Sequence, residues 1–298
     1  MSAPGVVAGV RPHLRSAVLR GRRATAGLRV LPDFVIAGAM KAGTTSLYRY
    51  LCAHPDVMPA ARKEVHFFDV HYARGPQWYR SMFPTTVQRD LLARTHGRPV
   101  LTGEASPYYL FHPLAAERAA GLVPAAKVVV LLRDPVERAW SHYRHEVRAG
   151  REPLPFEAAL DAEEQRLAGT ESLLVHGGPA AVSDEHRYHS YVARGRYAAQ
   201  LTRWFDAFGR EQVLVLRTED LLHNPDAVWQ QVQDFLGLVP ARPPAFEVHN
   251  AGSGGGGMDA SVRARLEAVF AEDDAELARL LSTPLWWPRG HRPSALED

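Results

Sequence analysis

The feature that most constrains the fold is a short apolar run that leads into a glycine-rich loop and then into a helical pattern. The run covers residues 34–37, the loop residues 38–43, and Leu47 and Leu51 then fall four residues apart within residues 45–53. A buried strand that ends in such a loop leaves unpaired backbone N–H groups and the positive end of a helix dipole facing one point. The pattern therefore predicts a binding site for an anionic group such as a phosphate.

Further apolar runs of strand length occur at residues 57–59, 127–132 and 212–216, and helical patterns occur near residues 226–235 and 261–281. Strands and helices alternate along the chain, which is typical of parallel α/β proteins. We therefore predict an α/β, P-loop-like three-layer fold with a central, mainly parallel sheet flanked by helices.

The first thirty residues carry six arginines and no acidic residue. This composition predicts a basic, flexible N-terminal segment over residues 1–30. An arm that contacts a polyanion or a membrane surface, or a transit peptide, is the alternative. Since a chain of 298 residues can bury one sizeable core, we expect residues 31–298 to form a single domain.

Charge and cysteine usage exclude several classes of protein. The 35 basic and 33 acidic side chains nearly cancel, so we expect no binding of nucleic acid along a charged face. Cys52 is the only cysteine, which rules out an internal disulfide and fits a reducing compartment; we expect a cytoplasmic protein. No apolar run approaches the roughly 20 residues that span a bilayer, so we expect no stable membrane insertion.

The position of Lys41 separates this loop from that of nucleoside-triphosphate-binding proteins. In those proteins the lysine follows the last glycine and a Ser or Thr hydroxyl holds magnesium, whereas Lys41 precedes Gly43. A lysine early in the loop can neutralise charge on a leaving phosphate without a metal ion, so we predict no metal site. A small-molecule kinase and a non-catalytic nucleotide-binding module remain as alternatives. A kinase would show magnesium-dependent turnover of ATP, and a binding module would be unaffected by replacement of Glu64.

A second anion-binding candidate follows the strand at residues 127–132. Arg133 is left at the carboxyl end of this strand, where ligands of open α/β sheets collect, and Asp134-Pro135 begins a helix that places Ser141 about two turns further on. A structural ion pair of Arg133 with Asp134 or Glu137, and a surface hydroxyl at Ser141, are the alternatives.

These two motifs together resemble those of the sulfotransferase family that uses 3'-phosphoadenosine 5'-phosphosulfate (PAPS). Residues 38–46 resemble its 5'-phosphosulfate loop, and Arg133-Asp134-Pro135 with Ser141 resembles its 3'-phosphate motif. The resemblance implies that PAPS is the donor and adenosine 3',5'-bisphosphate (PAP) the product. It implies the following donor-binding residues: Lys41, Ala42, Gly43, Thr44, Thr45, Ser46, Arg133 and Ser141.

Residues 63–69 are similar to the stretch that carries the catalytic glutamate in glycan sulfotransferases of the heparan sulfate type, and residues 78–84 and 103–109 also resemble that branch. The resemblance implies that Glu64 is the general base, with Lys41 as the second catalytic group. His66 is the competing base, since alternation along an extended segment would place it on the same side as Glu64. Further candidates for contact with the substrate are Lys63, Arg80 and Ser106.

The chain departs from that branch near its end. The late disulfide loop with a lysine-glycine-arginine element is absent, and a glycine run at residues 252–257 stands in roughly that place. This run either folds over the adenosine or is a linker. We expect direct, in-line transfer to a hydroxyl or amine of a carbohydrate or small-molecule acceptor, with sugar hydroxyls fitting the resemblance best and a phenol or alcohol as the alternative.

Overall fold

The computed structural model describes residues 21–242, 257–284 and 286–287. At its centre lies a sheet of five parallel strands in the spatial order β2-β3-β1-β4-β5. The strands are β1 (Phe34–Gly38), β2 (Val57–Pro59), β3 (Leu101–Ala105), β4 (Lys127–Leu132) and β5 (Val213–Arg217). The prediction of an α/β fold with a parallel central sheet is confirmed.

Helices flank this sheet, and those predicted at residues 45–53, 226–235 and 261–281 have bounds that agree with the structure to within about one or two residues. Those in the described ranges are α1 (Thr44–Ala53), α2 (Pro76–Arg80), α3 (Thr86–His96), α4 (Ala115–Leu122), α5 (Pro135–Arg148), α6 (Phe156–Leu167), α7 (Thr170–His176), α8 (Asp184–Tyr188), α9 (Tyr197–Phe208), α10 (Thr218–His223), α11 (Pro225–Leu236) and α12 (Ala260–Leu281).

The middle of the sheet is buried on both faces, as the apolar runs require. Every residue of β1 is buried, and β1 pairs with β3 on one side and with β4 on the other. The helix after β4 begins as its sequence predicts, because the Asp134 side chain accepts a hydrogen bond from Val136 N–H at 2.9 Å and Pro135 occupies the first turn. Arg133 is thereby held between the end of β4 and the start of α5.

Strand β3 is an element that the sequence analysis did not predict. Its Gly103 and Glu104 break the apolar pattern of a buried strand, yet both lie in the interior. A Cβ atom at Gly103 would come within 2.4 Å of the Phe34 ring, so glycine is the residue that allows this close packing of β1 on β3. Glu104 is compatible with burial because hydroxyl groups surround its carboxylate.

Residues 21–30, which the sequence analysis assigned to a flexible segment, are instead packed against the domain. Arg22 donates from Nη2 to Phe83 O at 2.8 Å, and Arg29 donates from Nη1 to the same carbonyl at 2.8 Å. Arg29 also forms a β-bridge with Thr85. Two of the arginines that suggested a solvated arm, Arg22 and Arg29, therefore bind backbone carbonyls, whereas residues 1–20 lie outside the described residues.

The glycine run predicted to close over the adenosine or to act as a linker lies outside the described residues, apart from Gly257. Within the described ranges, no helix combines the length and the apolar character needed to cross a bilayer.

Candidate active site

The loops that follow β1, β3 and β4 meet along one edge of the sheet, where a cleft of about 410 Å³ opens between them and α5. Parallel α/β sheets commonly bind ligands at this edge. The cleft brings together eight of the residues predicted from the sequence: Lys41, Gly43, Thr44, Thr45, Glu64, His66, Arg133 and Ser141.

The loop after β1 is shaped for an anion. Gly43 precedes α1 with a φ of 85°, a left-handed conformation that glycine adopts at little cost, and Thr44 and Thr45 begin the helix at the cleft wall. The first N–H groups of a helix have no intrahelical acceptor and are therefore available to a ligand. Ala42 serves the loop itself, since its N–H donates to Ala39 O at 3.2 Å and its carbonyl accepts from Thr218 Oγ1 at 2.8 Å.

Lys41 lies in a strongly positive part of the cleft. Burial, together with the charges of Arg148 and Arg133, lowers the pKa of Lys41. Arg133 donates from Nη1 to Lys41 O at 3.3 Å, and its Nη2 lies 3.8 Å from Glu137 Oε2. A bound anion would offset the mutual repulsion of these three cations, so the site favours a ligand with more than one negative charge.

Helix α5 presents a polar stripe to the cleft. Ser141, His145 and Arg148 are spaced by four and three residues, which places them on one helix face, and all three line the cavity. Ser141 was predicted from the sequence, whereas His145 and Arg148 were not. The sequence signal that could have found His145 and Arg148 is their helical spacing of four and seven residues after Ser141.

The segment that carries Glu64 and His66 differs from the extended conformation predicted for it. Glu64 has a φ of 57° and His66 a φ of 55°, both in the left-handed region. The two side chains nevertheless face each other, with His66 Nε2 at 3.6 Å from Glu64 Oε2. On its other side the imidazole contacts Asp69, whose Oδ2 lies 2.7 Å from His66 Nδ1.

This arrangement separates the protonation states of the two candidate bases. The neighbouring His66 and the ammonium of Lys63 lower the pKa of Glu64 to about 2, against the effect of burial. Burial by itself lowers the pKa of His66, but the carboxylates of Asp69 and Glu64 outweigh it and raise the pKa to about 9. At neutral pH the site therefore holds an ionised Glu64 and a protonated His66.

Five predicted residues lie outside the cleft wall. Ala42 and Ser46 are buried and do not line the cleft. Lys63 pairs with Glu64, Nζ to Oε1 at 2.6 Å, and Arg80 donates from Nη1 to Arg29 O at 2.8 Å. Ser106 is fully buried and accepts a hydrogen bond from His66 N–H at 3.0 Å.

None of the individual residues of the far wall was assigned to the site from the sequence. Arg194 is buried there, where it donates from Nε to Ser190 Oγ at 2.9 Å and holds its guanidinium 4.7 Å from the centre of the Tyr108 ring. Only the fold brings these residues to the cavity, because they come from separate parts of the chain. The other residues of this wall that were missed are Glu146, Arg151, Arg187 and Tyr188.

Comparison with known proteins places this cleft in context. The family described as "Sulfotransferase domain" matches residues 31–245. The sulfotransferase structure from Alicyclobacillus acidocaldarius is 34% identical, with a TM-score of 0.65, and the match covers 86% of this chain and 98% of that one.

Two curated relatives are named for heparan sulfate. The human bifunctional heparan sulfate N-deacetylase/N-sulfotransferase 3 is 30% identical over 282 residues, and the match covers 84% of this chain but 30% of the relative. The mouse heparan sulfate glucosamine 3-O-sulfotransferase 3B1 is 33% identical over 213 residues, covering 72% of this chain and 48% of the relative. The chain thus spans less than half the length of either relative.

Proposed function

Since this chain belongs to the sulfotransferase domain family, we propose that it transfers a sulfuryl group from PAPS to a hydroxyl or amine of a carbohydrate or small-molecule acceptor. The observation that carries this proposal is that Lys41, in the loop before α1, and an ionised Glu64 lie on the walls of one cleft. A group that stabilises the leaving phosphate and a group that accepts a proton are the two requirements of direct transfer.

The donor fits the positive half of the cleft. Lys41, Gly43, Thr44 and Thr45 would hold the 5'-phosphosulfate through the ammonium, the hydroxyls and the N–H groups of the helix N-terminus. Arg133 and Ser141, with His145 and Arg148 further along the same helix face, would hold the rest of the donor and its 3'-phosphate. The positive field around Lys41 supports a ligand with several negative charges.

In the proposed reaction the acceptor oxygen or nitrogen forms a bond to sulfur while the bond from sulfur to the phosphate oxygen breaks. The Glu64 carboxylate takes the acceptor proton, and Lys41 neutralises the charge left on the departing phosphate. His66 already carries a proton at neutral pH and so acts as the partner of Glu64, not as the base. Bound acceptor would exclude water from the Glu64 side chain, which is 46% exposed, and would raise its basicity.

The test replaces each group separately and measures transfer from labelled PAPS to N-desulfated heparan sulfate and to a set of phenols. Glu64→Gln and Lys41→Ala should each lower kcat by about 100-fold or more, because each removes a group that acts in the transition state. PAP affinity in Glu64→Gln should stay at the wild-type value, since the proposed ligands of the 3'-phosphate are Arg133 and Ser141.

Retained turnover in either variant would contradict the assigned role. Magnesium-dependent phosphoryl transfer from ATP would favour a kinase instead, and PAP binding without any transfer would favour a binding module. The proposal of a metal-free reaction predicts equal turnover with and without EDTA.

A further inference from the structure

Behind the segment that carries Glu64 lies a buried carboxylate that does not reach the cleft. Glu104, on β3, is fully buried; its Oε1 accepts hydrogen bonds from Tyr79 Oη at 2.7 Å and from Tyr109 Oη at 2.9 Å. Its Oε2 accepts from Ser106 Oγ at 2.6 Å. Burial raises the pKa of Glu104, and the three hydroxyl donors oppose that rise. A buried carboxylate is costly even when satisfied, so its presence here calls for a role beyond packing.

Two of these hydroxyls also hold the backbone of residues 64–67, here called the base loop. Ser106 Oγ accepts from His66 N–H at 3.0 Å, and Tyr109 Oη accepts from Phe67 N–H at 2.7 Å. A hydroxyl carries a single proton. Because each proton is donated to Glu104, the oxygen lone pairs of both hydroxyls are left to face the base loop.

The base loop needs support of this kind. Glu64 and His66 both adopt positive φ angles, a region that non-glycine residues rarely occupy and that persists where the surroundings fix it. A third bond, from Glu64 N–H to Ala105 O at 3.0 Å, ties the start of the loop to β3. The N–H groups of Glu64, His66 and Phe67 are thus all bound by β3 and the turn that follows it.

We propose that Glu104 is a positioning residue for catalysis: as a group that only accepts hydrogen bonds, it orients the Ser106 and Tyr109 hydroxyls, which hold the base loop so that Glu64 faces the acceptor. Glu104 acts through these hydroxyls and touches neither donor nor acceptor. The effect of Glu104 on catalysis rests on the role of Glu64 proposed above. The link from Glu104 through the two hydroxyls to the base loop does not depend on that role.

The chain offers a matched pair of variants. Tyr79→Phe and Tyr109→Phe each remove one hydrogen bond to the same oxygen of Glu104, and both side chains are buried. Only Tyr109 is bonded to the base loop. Tyr109→Phe should lower kcat by about 10- to 100-fold, the size expected for a misplaced catalytic group, while Tyr79→Phe stays within about twofold of wild type. Both should bind PAP with wild-type affinity and show similar midpoints of thermal unfolding.

Hydrogen exchange gives a readout that does not depend on Glu64 being the base. The amides of His66 and Phe67 should exchange faster in Tyr109→Phe than in Tyr79→Phe. If this difference is seen while Glu64→Gln keeps its activity, the positioning link holds and the proposed role of Glu64 fails. Equal exchange rates of these two amides in Tyr109→Phe and Tyr79→Phe would overturn the positioning role. It would also be overturned if both variants lost turnover equally and the loss followed a loss of stability.

Glu104→Gln provides the complementary test. Its amide nitrogen would replace an acceptor by a donor and turn one hydroxyl away from the base loop, with little change in volume. Turnover should fall as in Tyr109→Phe, with PAP affinity retained. A folded Glu104→Gln variant with wild-type turnover would contradict the proposal.

Discussion

The Arg133 guanidinium is shared between two neighbours, the Lys41 carbonyl at 3.3 Å and the Glu137 carboxylate at 3.8 Å. Both contacts are long enough to be exchanged for a phosphate, which binds arginine with shorter, charge-assisted hydrogen bonds. The ion pair with Glu137 therefore does not prevent Arg133 from binding a ligand, and the two interpretations of its sequence position are compatible.

Arg133→Ala should weaken PAP binding by about 10- to 100-fold, as loss of a charge-assisted contact predicts, and should change the affinity for adenosine 5'-phosphate by less than about threefold. Isothermal titration calorimetry with both nucleotides measures the difference. Arg144→Ala, on the same helix but outside the cleft wall, serves as the control. Equal losses for the two nucleotides would reject Arg133 as the 3'-phosphate ligand.

The ion pairs of His66 with Asp69 and Glu64 make stability depend on pH. The folded-state pKa of His66, about 9, lies above its ordinary value of 6.5. The stabilisation is therefore complete below about pH 6.5 and is lost as the pH rises through about 9. Urea unfolding at pH 6 and pH 9.5 should show that wild type loses about 2–3 kcal/mol more than His66→Asn over this interval. Equal pH dependence in both proteins would show that His66 is not the group responsible.

At the scale of elements, a strand or helix could be predicted from the sequence where its signal lies within one short segment. Strands β1, β4 and β5 could be predicted because continuous apolar runs are typical of buried parallel strands. The loop at Lys41 and the start of α5 could also be predicted, since glycine, the Asp134 cap and Pro135 act within a few residues. Each of these signals is complete within one short segment.

Other elements depend on partners distant in the chain. Strand β3 is compatible with burial only because the Phe34 ring fills the space beside Gly103 and hydroxyls satisfy Glu104. The base loop is hydrogen-bonded to β3 and the turn after it, and the residues of the cleft wall around Arg194 come from separate parts of the chain. These features arise from tertiary contacts, which single-sequence patterns do not record.

The close contact between β1 and β3 predicts that Gly103→Ala is destabilising. The added methyl would lie 2.4 Å from the Phe34 ring, so this fully buried ring or its strand must shift. Overpacking of this kind costs about 1–3 kcal/mol, to be measured by urea unfolding. Gly121→Ala, in α4 with open space around it, should be neutral or stabilising. Similar effects at both positions would show that the contact with Phe34 is not responsible.

At the scale of the whole molecule, the domain begins earlier than the composition indicates. Arg22 and Arg29 together bind Phe83 O, and Arg22 also donates from Nε to Ser81 O at 2.6 Å. Arg22 and Arg29 thus tie residues 21–30 to the segment at residues 81–83, and the single domain over residues 31–298 stays a prediction.

The double variant Arg22→Ala/Arg29→Ala should lower the free energy of unfolding by about 2 kcal/mol or more, because the carbonyls of residues 81 and 83 lose their charged donors. Arg23→Ala, an exposed arginine between them, should change it by less than about 0.5 kcal/mol. Calorimetric or urea unfolding measures both. Equal stability of the two variants would indicate that the basic segment does not hold the domain.

The central position of β1 also has a consequence for biogenesis. Phe34 pairs with Gly103 on one side and with Lys127 on the other, so the strand that leads into the glycine-rich loop has both partners far downstream. During synthesis the apolar strand β1 therefore stays unpaired until β3 and β4 have left the ribosome. A nascent chain that stops before residue 101 contains the whole loop but neither strand that holds it, and so we expect nucleotide affinity to appear only late in translation.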